Sequence, residues 1–283
     1  MILFICSLAI TLHSESAFAQ EDQTYRVETV DGNTFTGMLI SEDEEKIVLN
    51  TESLGEITIK KSTIRSMQKL DPRRMQDDSY WFESPQSTRY FFAPNAIGLK
   101  KGAGYYQNTW IFFNNANYGL TDNISIGGGI VPLFLLGSPY TPVWLLPKVS
   151  FPVSDEQIYI SAGAMIGGVV GESSGSAGLL YGASTVGNTD HNLTLGLGYG
   201  YGNGEISSTP VVNLSGAVRV SSSIFLISEN YIFTGSDITG IGSLGGRWAT
   251  QNFALDFALF RPFEGTGSFI GIPWLGFSIP FGN

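Results

Sequence analysis

Five polar side chains in the second half of the chain, Asn213, Ser215, Arg219, Arg247 and Asp256, stand where chemistry could be done. Each lies in a stretch that alternates with apolar residues, and successive residues of a strand point to opposite faces. Over Val211–Val220, Val212, Leu214, Val218 and Val220 share one parity, while Asn213, Ser215, Ala217 and Arg219 share the other. Leu244 and Trp248 oppose Ser243, Gly245 and Arg247. Phe253, Leu255, Phe257 and Leu259 oppose Ala254, Asp256 and Ala258. The apolar parity is a lipid face and the polar parity an inward one, since a one-residue slip would put Arg219, Arg247 and Asp256 in hydrocarbon. Inward groups of this kind can set selectivity in a lumen. Arg247 and Asp256 can also cross-link the wall as a diagonal pair.

Acid–base chemistry finds less support. Of the two histidines, His13 lies in the opening apolar segment and His191 in a polar turn. Neither forms a constellation with a serine on a strand, as the His-assisted barrel hydrolases require. The acidic run Glu42-Asp43-Glu44-Glu45 lacks the ligand spacing and glycine hinge of a calcium loop and reads as a hairpin turn. Gly196, Gly198, Gly200, Gly202 and Gly204 are spaced by two, opposite Leu195, Leu197, Tyr199 and Tyr201. They line one face of one strand, and no helix pattern follows to hold a nucleotide phosphate. A smooth inner wall that leaves space for larger residues of neighbouring strands is the better reading. No catalytic residue, metal or cofactor is expected.

The elements that position these groups are set by a rhythm. Polar turns at Thr121-Asp122-Asn123, Ser154–Gln157, Asn188–Asn192, Ser221-Ser222-Ser223 and Thr250-Gln251-Asn252 recur at roughly 30 residues, one up-and-down pair of ~10-residue strands with its outer loop. Five turns join ten strands. An upward strand over Arg89–Leu99 and a downward one over Phe269–Phe281 complete an expected transmembrane antiparallel β-barrel of about twelve strands over residues 89–283. The longer connections, Lys100–Gly104, Leu135–Thr141, Gly171–Ser176, Gly202–Ser208, Thr234–Gly240 and Glu264–Ser268, are expected outside and the short turns in the periplasm. Tyr105, Tyr106, Trp110, Tyr118, Tyr140, Trp144, Tyr199, Tyr201, Tyr231, Trp248 and Trp274 fall mostly near strand ends, as interfacial girdles do.

Composition agrees. The 283 residues are 43% hydrophobic and 14% charged, with 35 glycines. From residue 20 onward there is no run apolar enough for a transmembrane helix, so a membrane-spanning chain must close a sheet on itself. The net charge of −10 argues against nucleic acid as a partner. Cys6, the one cysteine, lies in an apolar run followed by Ala17-Phe18-Ala19, a secretory cleavage pattern, so residues 1–19 are expected to be a signal peptide. The exported chain then has no thiol chemistry. No Lys or Arg precedes Arg26, which suggests a start codon further upstream.

Residues 20–70 read as a small β domain. Tyr25–Val30 and Thr34–Ile40 flank the turn Asp31-Gly32, and Lys46–Asn50, Gly55–Lys60 and Ile64–Met67 follow. Residues 71–88 read as a linker in which Trp81-Phe82 is an interfacial anchor or packs on the small domain. Gly37-x-Leu39 with acidic residues, Ile47-x-Leu49 and Ile64-Arg65-Ser66 resemble the two halves of the Sm-like pattern over about 45 residues. The resemblance implies an SH3/Sm-like small barrel. The RNA role of that family is not carried over to an acidic, exported segment.

The stretch from Arg89 onward resembles bacterial outer-membrane β-barrel proteins, with Phe281 near the position of their C-terminal aromatic assembly signal. That implies the outer membrane, its lipid and the barrel-assembly machinery as surroundings, with the N-terminal domain in the periplasm. The leading functional expectation is a non-enzymatic anchor or scaffold whose small domain engages a periplasmic protein. The alternative is a passive channel or specialised porin for small solutes. A barrel enzyme acting on lipid comes third.

Overall fold

The computed structural model describes residues 23–71, 74–76, 79–154, 157–171, 175–202, 204–235, 238–264 and 270–282. The signal-peptide expectation, with Cys6 and His13, lies outside the described residues, as do Asp155-Glu156 of the second turn and Phe269. The chain divides into two compact units, Met1–Tyr80 and Trp81–Asn283.

The first unit is a five-stranded antiparallel sheet of β1 (Thr24–Thr29), β2 (Thr34–Glu42), β3 (Lys46–Thr51), β4 (Gly55–Lys60) and β5 (Ile64–Lys69), in the order β4-β3-β2-β1-β5. Alternation builds its core: Val27, Ile47, Leu49 and Ile59 are buried, with Phe35, Leu39 and Met67 packed against them. The acidic run is the β2–β3 turn. Asp43 Oδ1 accepts from the backbone N–H groups of Glu45 (2.9 Å) and Lys46 (2.8 Å), which holds its carboxyl below the ordinary 3.8. The expected closed small barrel is corrected here, because β4 and β5 remain edges and the sheet is open. A two-residue ribbon, β6 (Met75–Gln76) and β7 (Ser79–Tyr80), ends the unit.

The second unit is a closed antiparallel barrel. Its wall runs β8 (Ala103–Thr109), β9 (Phe113–Gly119), β10 (Ile124–Ile130), then β11 (Thr141–Leu145) and β12 (Lys148–Ser154) end to end in one position. It continues through β13 (Ile158–Val170), β14 (Ala177–Gly187), β15 (His191–Gly202), β17 (Val211–Arg219), β18 (Ile224–Thr234), β19 (Ile238–Thr250), β20 (Phe253–Pro262) and β21 (Ile272–Gly282). The short β16 (Glu205–Ile206) only extends β15. β21 pairs with β8 from Gly276↔Thr109 to Gly282↔Ala103 and closes a wall of twelve strand positions. Closure satisfies every wall strand through its neighbours, which a lipid setting demands. Leu193, Leu195, Leu214, Leu226, Leu244, Leu255, Phe257 and Leu275 are exposed on the outside, the apolar belt that parity requires.

The five short turns lie at one end of the barrel, here the turn end, and side chains build them. Thr121 Oγ1 accepts from Asn123 and Ile124 N–H (3.2 and 3.0 Å), and Asn188 Oδ1 from Asp190 and His191 N–H (2.8 and 3.0 Å).

Two corrections concern the start of the barrel. Arg89–Leu99 is not a wall strand, and Lys100–Gly104 is not an outer loop. Gly102 N–H meets Gly119 O at 2.9 Å and Lys101 N–H meets Asp122 Oδ1 at 2.9 Å, which puts this segment at the turn end. The missing strand arises because residues 103–119, which read as one strand, are two. They are joined by Trp110-Ile111-Phe112, with Trp110 and Ile111 left-handed at φ 48° and 68°.

Candidate functional site

Residues 81–102 enter the lumen from the turn end, reverse at Phe91-Phe92-Ala93, and return to β8. Arg89 bridges Pro94, Tyr90 N–H meets Ala93 O at 2.9 Å, and Asn95 N–H meets Thr88 O at 3.1 Å, so the insert is an irregular hairpin. Its residues Tyr90, Phe91 and Ala93 form a lumenal hydrophobic core with Phe225, Ile227 and Trp274. Ala217, Ala249, Ala254 and Ala258, small inward residues of three wall strands, leave the room for it.

Four ionisable wall side chains hold the hairpin. At the turn end, Arg219 pairs with Asp190 at 2.8 Å and donates to the carbonyls of Phe82 (2.6 Å) and Ser222 (2.5 Å). The rings of Trp81, Phe82 and Phe225 lie 4.9, 4.9 and 5.0 Å from its guanidinium carbon. Trp81 and Phe82 thus stack on a cation at the turn end of the barrel. Deeper in, Arg247 forms a bidentate pair with Asp256 (2.6 and 3.0 Å). It also donates to the carbonyls of Gln86 (2.7 Å), Arg89 (3.3 Å) and Tyr90 (2.8 Å). Three of these five guanidinium bonds grip the insert.

At the tip, the Glu229 carboxylate, fully buried, accepts the backbone N–H groups of Phe91 (2.8 Å), Phe92 (3.0 Å) and Ala93 (3.2 Å) and the Tyr231 hydroxyl (2.5 Å). On the opposite wall, Tyr90 Oη meets Asn192 Oδ1 at 2.6 Å and Thr194 Oγ1 at 2.7 Å, Thr185 Oγ1 accepts Ala96 N–H at 2.7 Å, and Lys148 Nζ donates to Ile97 O at 2.7 Å.

Beyond the tip, toward the longer loops, lies a cavity of about 290 Å³. Its sides are aromatic: Phe91, Phe92, Trp110, Phe113, Trp144 and Trp274, with Tyr181 and Tyr231 near the floor. Trp110 and Trp274 are 5.0 Å apart, and Trp110 Nε1 donates to Pro273 O at 2.8 Å, fixing the ring at the rim. Glycines make the space. A Cβ on Gly163 would strike the Tyr181 hydroxyl, and one on Gly129 the Trp144 ring. Gly196 and Gly198 line the cavity with no side chain at all.

The structure places Asn213, Ser215, Arg219, Arg247 and Asp256 on the inner wall, all buried. Ser215 Oγ donates to Asn213 Oδ1 at 3.0 Å, and Asn213 Nδ2 donates to Tyr231's neighbour, the Asn230 carbonyl, at 3.0 Å. The five are not one cluster. Arg219 lies at the turn end, Arg247 and Asp256 at mid-depth, and Asn213 against the cavity. Glu229 and Lys148 have no counterpart in the sequence reading, which took Tyr231 as a girdle aromatic and Arg89 as the start of a wall strand. Tyr105, Trp144, Tyr231 and Trp274 also face the lumen rather than an interfacial girdle, because they share parity with inward residues of β8, β11, β18 and β21. His191 is exposed at the turn end. Among the described residues no group of three or more His, Cys, Asp or Glu could hold a metal ion.

A closed antiparallel barrel of twelve strands, apolar outside and polar within, defines the class: an outer-membrane, porin-like β-barrel. Solved structures similar to the chain include one described as "KdgM porin", with a TM-score of 0.47 and 7% identity over 63% of this chain and 99% of that one. A NanC porin gives a TM-score of 0.39 and 10% identity over 63% and 97%. OprD of Pseudomonas aeruginosa gives 0.35 and 12% over 92% and 93%. These likenesses are of barrel architecture. No family model and no curated protein matches the chain. The leading expectation, a non-conducting anchor or scaffold, is corrected: the similar structures are described as porins, and the built polar groups and the cavity lie inside the barrel.

Proposed function

We propose that the protein admits small solutes through its lumen, with residues 81–102 as a stopper seated in the turn-end half. The observation that carries this reading is the division of the lumen at the Phe91-Phe92-Ala93 tip. Below it the wall's charges are occupied in holding the hairpin, and above it an open chamber remains. A scaffold has no use for such a chamber, whereas a solute needs one. In this reading the short turns face the periplasm, outer-membrane lipid surrounds the apolar belt, and the barrel-assembly machinery inserts the chain.

The test is single-channel recording of the full chain in a planar bilayer. The native protein should give small or infrequent steps, and Glu229→Gln, which loosens the hairpin tip, should raise the open fraction. Silence from both proteins, shown to be folded in the bilayer, would refute the channel reading.

A further inference from the structure

The lumen holds three arginines with different fates. Arg219 and Arg247 are spent on carboxylates and carbonyls. Arg89 is not. Its backbone is fixed by the bridge to Pro94 and by the Arg247 contact to its carbonyl. Its guanidinium forms no hydrogen bond or ion pair among the described residues, and Nε is buried without a partner. The side chain lines both the aromatic chamber and a small gap of about 20 Å³ beside Lys148 and Tyr181. Glu229 already takes three N–H groups and a phenol. Lys148 on the far side of the gap is a buried amine that donates to Ile97 O, not a counter-ion.

A buried or half-buried guanidinium without an anion is costly, and its planar fork matches a carboxylate in two-point geometry. Above it stand rings that favour stacking on another flat apolar body. We propose that the chamber binds a small aromatic carboxylate, with the carboxylate on Arg89 and the ring among Phe92, Phe113, Trp144 and Trp274. A volume of about 290 Å³ lies at the lower end of the roughly 300–1,000 Å³ of ligand pockets, enough for one substituted ring but not for a long chain or an oligosaccharide. The ring selects against simple anions, and the charge against neutral aromatics. The proposal deepens the channel reading by naming its solute class, but its test does not depend on conductance.

The experiment is isothermal titration of the full chain, folded in detergent micelles, with three probes: benzoate, benzyl alcohol as its uncharged counterpart, and acetate as an anion without a ring. Benzoate should saturate one site, with each of the other two at least about tenfold weaker, the expected loss for one charge-assisted pair or one buried ring. Arg89→Gln should reduce benzoate to the level of benzyl alcohol, and Arg89→Lys should recover part of the difference. Gly198→Leu places a side chain in the chamber where the nearest atom is the flexible end of Leu179 at 3.1 Å, and should weaken benzoate without touching a charge. Folding of each variant is read from its heat-modifiable migration. No saturable benzoate binding, benzoate no tighter than benzyl alcohol, or unchanged affinity in folded Arg89→Gln would each overturn the proposal. Conductance steps from a protein that ignores benzoate would leave the channel reading intact and remove only the solute assignment.

Discussion

Replacing Glu229 by Gln should release the tip of the lumenal hairpin while leaving the barrel wall in place. The carboxylate takes three backbone N–H groups, at 2.8, 3.0 and 3.2 Å, from three consecutive residues, and the Tyr231 hydroxyl at 2.5 Å. Glutamine has the same shape but only one acceptor oxygen. Its amide NH₂ must then face at least one of these donors, in a pocket where Glu229 is fully buried. A hydrogen bond to a charged group contributes about 1.5–3 kcal/mol, and a donor left facing a donor forfeits it. At about 1.4 kcal/mol per factor of ten, the tip should open about 10- to 150-fold more often.

Amide hydrogen exchange reads this directly. Glu229 is the acceptor of the Phe91, Phe92 and Ala93 N–H groups, so their exchange tracks tip opening. In the folded full chain, these three amides should exchange faster by that factor in Glu229→Gln. The ladder amides of β17 to β20 should hold their native rates. Rates at 91–93 within twofold of the native protein would refute the latch. Uniform acceleration along the wall would show instead that Glu229 supports the barrel as a whole.

Three other perturbations have definite outcomes. Asp256→Asn leaves the Arg247 charge buried with only carbonyls for company, and should cost about 3–5 kcal/mol, seen as a lowered urea midpoint for barrel unfolding in micelles. Ile111→Gly removes a β-branched residue from a left-handed turn position at φ 68° where its side chain is exposed. It should stabilise the barrel by about 1 kcal/mol, read in the same assay, without changing benzoate affinity. Asp43 is held below 3.8 by the N–H groups of Glu45 and Lys46, so its contribution is present above 3.8 and lost as pH falls through the lower folded value. The exchange protection of those two amides should fade there, and Asp43→Ala should abolish it at every pH.

Alternation made the inner wall of β17, β19 and β20 legible, because each strand sets branched or aromatic residues against small or polar ones. The five turns were legible through Thr121, Asn188 and the serines, whose side chains cap their own backbone. β18 reads the opposite way: Phe225, Ile227 and Tyr231 point inward, and Ser228 and Asn230 outward. Its lumenal side packs on Tyr90 and Phe91 of the hairpin, so the apolar face is the inner one there. The outward pair is satisfied by the carbonyls of Ser243 and Leu214, both at 2.9 Å. Glu229 was hidden for the same reason, being one acid on a face that looks apolar. The hairpin itself carries strand-like composition over Tyr90–Ile97. Pro94 in its middle was the available signal, since a wall strand cannot spare that ladder bond. The β8–β9 turn had none, as Trp110-Ile111 is not a pair that favours left-handed backbone.

The strain at that turn and the idle charge of Arg89 belong to the same chamber. A turn of Asn-Gly would join β8 to β9 without strain, yet the chain keeps two large residues at φ 48° and 68°. The conformation sets the Trp110 ring 5.0 Å from Trp274 and 6.0 Å from Phe113 at the rim. At the floor, the chain carries a guanidinium that has no hydrogen-bond partner among the described residues, on a hairpin gripped by Glu229 and Arg247 of the wall. Neither feature helps the barrel fold, and neither is a by-product of closing twelve strands. Both act on the chamber beyond the hairpin tip, the rim by narrowing it with rings and the floor by charging it. Because Arg89 rides on the hairpin, an anion bound there adds its own contacts to the stopper. A solute that binds only the seated hairpin stabilises the closed state by its binding free energy, whereas one that also meets the wall can hold the charge as the tip moves. The direction in which benzoate shifts exchange at Phe91, Phe92 and Ala93 therefore separates a plug that its ligand locks from a gate that its ligand opens.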